Sequence, residues 1–131
     1  MSYCSDLALM LKAEIVARFN QYVSKYDNDL KEVSTFLQEC KQRLISEDGD
    51  VLYYWTYYKK WHYFYPPAFA IQRFMNHLDD ENLSDHYLFI RLGEEWDDVE
   101  YRGEFGSPYG GENVFYLEAV REIVFCDKSS D

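Results

Sequence analysis

The 131 residues carry a formal charge of −11 and are 47% hydrophobic and 19% aromatic, enough to bury one core without disulfides or metals and too apolar for a disordered chain. A field of that sign repels phosphate, which disfavours direct binding to nucleic acid or to an anionic membrane surface. No apolar run approaches the roughly 20 residues that cross a bilayer, and the start Met1–Asp6 lacks the basic region of a secretory signal, so the expectation is a single cytoplasmic domain over residues 1–131.

Ser5 and Asp6 stand where a helix cap would, and Leu7, Leu11, Ile15, Phe19, Tyr22 and Tyr26 follow at spacings of three and four, so a first helix is expected to about Tyr26. Asp27-Asn28-Asp29 interrupts the pattern. Asp29-x-x-Glu32 then resembles a capping box for a second helix with the stripe Leu30, Val33, Phe36, Leu37, Cys40 and Leu44, closed by Asp48-Gly49. The stretch Val51–Tyr65 is aromatic on every side. Tyr54, Tyr57 or Tyr58, Trp61 and Tyr65 fit a helix, whereas Val51, Tyr53, Trp55 and Tyr57 fit a strand; a 3.6-residue period continuing through Lys59-Lys60 leans to a third helix. Pro66-Pro67 breaks the chain and opens a fourth through Ala68, Phe69, Ile71, Phe74, Met75 and Leu78, ending near Asp79.

After the polar connection Asp79–Asp85 the period changes to two. His86, Leu88, Ile90 and Leu92 alternate with Tyr87, Phe89 and Arg91, and Val99, Tyr101, Gly103 and Phe105 alternate with Glu100, Arg102 and Glu104. This is a hairpin of strands 86–92 and 99–105, with its aliphatic face expected in a core and Arg91, Glu100, Arg102 and Glu104 in solvent. The turn-rich segment Gly106–Gly111 lacks the GK[ST] ending of a phosphate loop and reads as a plain connection. Residues 120–125, with Ile123-Val124-Phe125 consecutive, read as a strand buried on both faces. The expected fold is therefore α+β: a helical N-terminal half of about four helices on one face of a small antiparallel sheet formed by the C-terminal half, from 86–92, 99–105 and 120–125.

Catalytic and metal signatures are missing from this order of residues. Cys4, Cys40 and Cys126 are widely spaced without a CxxC pair, His62, His77 and His86 show no HExxH or HxH spacing, and there is no GxSxG. Neither disulfides, a metal, a cofactor nor a nucleophilic catalytic residue is expected. What stands out is the distribution of charge. Residues 1–78 hold nine acids and nine bases, whereas 79–104 hold ten acids and two bases. The connection between the hairpin strands, Gly93–Asp98, sets four carboxylates around one indole, where side chains are free to meet a partner.

The candidate contact residues are Asp79, Asp80, Glu81, Asp85, Glu94, Glu95, Asp97, Asp98 and Glu100 for charge, with Trp96, Tyr57, Tyr58 and Trp61 as aromatic anchors. The profile, small, acidic and aromatic-rich, resembles that of inhibitor and immunity proteins that block a basic active site or nucleic-acid-binding groove. The resemblance is compositional and implies a basic protein partner, such as a nuclease or nucleic-acid-binding protein. Two other readings use the same residues: an enzyme working through the 79–104 carboxylates, and an aromatic stacking platform for nucleic-acid bases. The rings of Tyr53–Tyr65 exceed what one face of one helix can bury, which suggests a homodimer as well.

Overall fold

The computed structural model describes residues 5–27, 30–58, 65–93 and 98–105. Its elements are β1 (Ser5–Leu11), α1 (Ala13–Ser24), α2 (Glu32–Gln38), β2 (Gln42–Ile45), β3 (Val51–Tyr58), α3 (Pro66–Asp80), a 3-10 turn at Ser84–His86, β4 (Tyr87–Leu92) and β5 (Val99–Gly103). The strands form one antiparallel sheet in the order β2-β3-β1-β4-β5. The α+β class holds, but the helical N-terminal half does not: among the described residues there are three α-helices, and three of the five strands precede α3.

Each correction has a physical cause. Leu7 and Leu11 fit an i, i+4 helix, but a spacing of four is even and fits a strand as well. Both lie on the helix-side face of β1, which is the central strand. The run Leu7–Leu11 is apolar throughout because β1 is buried on both faces: Leu7, Leu9 and Leu11 join the main core, while Ala8 and Met10 join a second cluster with Leu52, Leu88 and Ile90. A strand buried on both faces loses the alternation that would identify it. The second expected helix stops at Gln38, and its last stripe residue, Leu44, is an exposed position of the edge strand β2. Leu30, at the other end of that stripe, is also exposed. Asp27 serves the start of α2, its carboxylate accepting the Val33 N–H at 3.1 Å; Asp29, the expected cap, lies outside the described residues. Asp48-Gly49 closes the β2–β3 turn rather than a helix; Gly49 has φ +91° and the Ser46 N–H donates to the Asp50 carbonyl at 2.8 Å.

Val51–Tyr58 is a strand, and its even-odd alternation disposes of rings that a helix face could not hold. Tyr53 and Trp55 point into the main core, where Trp55 stacks on Phe36 with centroids 4.4 Å apart and its indole N–H donates to the Phe36 carbonyl at 2.8 Å. Tyr65 is buried against Phe36 as well. These three rings need no second copy of the chain to cover them. The helix from Pro66 matches expectation, with Ile71, Phe74, Met75 and Leu78 buried under α1 and α2. The hairpin also matches in its strands, but its faces differ from expectation. Tyr87 and Phe89 enter the main core, Leu88 and Ile90 the second cluster, and Arg91, Glu100 and Arg102 lie on the helix side, while Val99 and Tyr101 are exposed. The expected strand 120–125 and the turn segment 106–111 lie outside the described residues; at the centre of the described sheet is β1.

Two local features fix the frame. Buried Asp50 accepts the Ala13 N–H at 2.8 Å, so the β2–β3 turn caps α1, whose own N-cap residue, Lys12, offers no side-chain bond. Gly103, at φ +86°, ends β5 so close to β4 that a Cβ there would lie 2.2 Å from the Tyr87 carbonyl oxygen.

Candidate functional site

The register separates the acidic run into two clusters. At one end of the sheet, β1 pairs Ser5 with Tyr58 and Asp6 with Leu92, and β4 pairs Leu92 with Val99. At the other, Leu11 pairs with both Val51 and Tyr87. The six residues of β4 lie between the ends, roughly 20 Å at the rise of an extended chain.

The Leu11 end gathers the C-terminus of α3, the 3-10 turn and the start of α1, and here the candidate carboxylates are paired. Asp79 accepts from the Tyr87 hydroxyl at 2.7 Å and from Arg102 at 2.9 Å, and Arg102 also bonds Asn76. Burial, reinforced by the bond to Asp79, pushes the Tyr87 phenol well above its usual range. Glu81 and Arg18 form a two-pronged pair, one bond of which measures 2.9 Å, and that hydrogen bond holds the Glu81 carboxyl below its ordinary value. Asp85 is 2.7 Å from His86, which depresses the Asp85 carboxyl in the same way; His86 is also 4.0 Å from Glu14. Asp80 is exposed and has no partner among the described residues.

The Ser5 end collects the other half of the candidates. Arg91 clamps the one described acid of the hairpin connection, Asp98, with bonds of 2.6 and 3.1 Å, and bonds Glu100 of β5, the residue directly opposite it, at 3.2 Å. The connection is closed by the Gly93 N–H, which donates to the Asp98 carbonyl at 2.7 Å. Tyr57 and Tyr58 end β3 at this same edge, where the β1–β3 register shifts between Ser5 and Leu7 so that β3 takes up one extra residue. Asp6 lies here too, opposite Leu92. Its role was illegible in the sequence because a carboxylate before an apolar run is equally a helix cap. Glu94, Glu95, Trp96, Asp97 and Trp61 lie outside the described residues.

The structure thus brings Tyr57 and Tyr58 to the end where Asp98 and Glu100 sit and leaves Asp79, Asp80, Glu81 and Asp85 at the opposite one. Among the described residues no group of three or more His, Cys, Asp or Glu side chains is disposed to hold a metal ion, and no helix is long and apolar enough to cross a membrane. No protein family, curated protein or solved structure matches this chain.

Proposed function

We propose that the protein binds a basic protein surface, and that the contact is made by the Ser5 end of the sheet, with the nucleic-acid-binding or nuclease site of the partner as the surface it occludes. The observation that supports this reading is the register of β1, which aligns Tyr58 and Leu92 across one central strand. Two stretches separated by more than 30 residues, the tyrosines of β3 and the acidic connection after β4, are thereby anchored within two strand spacings, roughly 10 Å. Aromatic anchors rimmed by carboxylates suit a basic partner: the rings supply affinity, and the charge speeds encounter and selects against other acidic surfaces. Glu94, Glu95, Trp96, Asp97 and Trp61 enter the reading from the sequence. The acids of the other end, set apart from these tyrosines by the length of β4, contribute to the field and not to the contact.

Capture from the proteome of the source organism on the immobilised protein tests the proposal. A basic protein retained by the wild type and lost on combining Glu94→Gln, Glu95→Gln and Asp97→Asn is the expected result. Retention of the same protein by both forms, or a turnover activity of the purified protein that the triple variant abolishes, would overturn it.

A further inference from the structure

Five arginines lie among the described residues. Arg18, Arg91 and Arg102 hold carboxylates, and Arg73 is turned to the hydroxyls of Tyr22 and Tyr26 and to the ring of Phe69. Arg43 has no carboxylate partner among the described residues, although the protein carries a formal charge of −11. Its guanidinium sits 5.6 Å from the centre of the Tyr53 ring, on the helix side of β2, directly across the β2–β3 pair.

A cavity of about 470 Å³ opens at this position, between α1, the end of α2 and the β2–β3 pair, and is lined by Asn20, Leu37, Gln38, Cys40, Arg43 and Tyr53. That volume falls in the range of small-molecule sites, which combine apolar walls with a few convergent polar groups. Leu37, Cys40 and the Tyr53 ring supply the walls here. Asn20 and Gln38 supply amides, Arg43 supplies the one formal charge in the lining, and no acid is present to neutralise it. Burial raises the Cys40 thiol above its ordinary value, so it stays protonated at neutral pH and adds no competing negative charge.

We propose that this cavity binds a small organic carboxylate, its apolar body against Leu37 and Tyr53 and its carboxylate on the Arg43 guanidinium. The Arg43 guanidinium, which bonds the Tyr53 side chain but holds no carboxylate among the described residues, is suited to a carboxylate in the two-pronged geometry that Arg91 and Arg18 already show elsewhere in this molecule. The site is independent of the proposed partner surface and can be probed on the free protein.

The probe is 4-phenylbutyrate, followed by NMR at the Leu37 methyls and Tyr53 ring, with its uncharged amide as control. Saturable shifts are expected for the acid, with the amide binding about tenfold more weakly or worse, as for loss of a charge-assisted bond. Arg43→Gln, at an exposed position of an edge strand, should bring the acid down to the level of the amide without changing the fold. Leu37→Trp, which fills the cavity, should abolish both. The proposal is overturned by shifts that do not saturate, by equal binding of acid and amide, or by an Arg43→Gln protein that binds the acid as the wild type does.

Discussion

At the Leu11 end of the sheet, Arg18, Arg102 and His86 each hold one of the acids Glu81, Asp79 and Asp85; the first two pairs tie the end of α3 to α1 and to β5, and the third lies within the 3-10 turn. At the Ser5 end, Arg91 holds both Asp98 and Glu100, with Asp6 nearby on β1. Described carboxylates are ion-paired at both ends, and Asp80, at the Leu11 end, is the candidate acid with no ion pair among the described residues. Contiguity in sequence is therefore a poor guide to a charged surface when a hairpin intervenes: β4 and β5 carry the described acids of the run to opposite ends of the sheet, and cations from elsewhere in the chain pair most of them at both ends.

The contrast is sharpest where the Leu11 end depends on tight packing. Gly103→Ala is expected to have the largest effect, because its Cβ would meet the Tyr87 carbonyl and its backbone would hold a strained positive φ. Denaturant unfolding should show a loss of about 3 kcal/mol. A loss below about 1 kcal/mol would mean that β5 can shift away from β4 at little cost.

Next in size, Asp79→Ala should cost about 2 kcal/mol, since it removes the acceptor of the Tyr87 hydroxyl, whose residue is fully buried, together with the carboxylate partner of Arg102. Its neighbour Asp80, exposed at the end of the same helix, should lose no more than about 0.5 kcal/mol on the same substitution. Equal effects at the two positions would break the distinction between structural and surplus carboxylates at this end.

Smaller again are the pH effects. The Tyr87 phenol is raised in the folded state above its ordinary value of 10.0, so the unfolded chain ionises first as the solution becomes alkaline. The stability this group contributes is complete below pH 10 and is lost as pH rises from there toward the folded value; Tyr87→Phe should flatten that alkaline decline in thermal melts. Glu81 and Asp85 act in the opposite sense. Their carboxyls are depressed below ordinary values of 4.5 and 3.8, so their contribution is present above that range and lost as pH falls through the depressed values. Both are exposed pairs, and the acid-side slope should be shallow and weaken further with salt.

How much of this was legible in the sequence depended on whether one period dominated locally. The helix from Pro66 was legible because proline marks its start and its apolar residues recur on one face over four turns. The β4–β5 pair was legible in its strands, but not in which face is wet, because β4 is buried on both faces. β1 and β3 were misread for the same reason. Where both faces of a strand are apolar or aromatic, periodicity carries no information, and only the long-range pairing of β1 with β3 and β4 selects strand over helix. The candidate acids were correctly picked as charged, but their division followed from Arg18, Arg91 and Arg102, whose partners lie 7 to 63 residues away in the chain. Arg43 falls inside the expected second helix, and no local pattern could have set it beside Asn20.

The smallest expected change in stability carries the test of the contrast as a whole. Combining Glu94→Gln, Glu95→Gln and Asp97→Asn should leave denaturant unfolding within about 0.5 kcal/mol per substitution. Its effect belongs to kinetics: association with a basic partner should slow, and the dependence of that rate on salt should flatten, because fewer charges steer the encounter. Asp80→Asn at the opposite end removes one charge from the same net field. If the field of the whole molecule governs encounter, each of the four substitutions should slow association by a similar factor. If encounter is directed to the Ser5 end, the three at 94–97 should dominate per charge removed, and Trp96→Ala should leave the association rate nearly unchanged while raising the dissociation rate. Rates that scale only with net charge, with no effect of Trp96→Ala on dissociation, would remove the Ser5 end as a contact surface and leave both ends of the sheet alike.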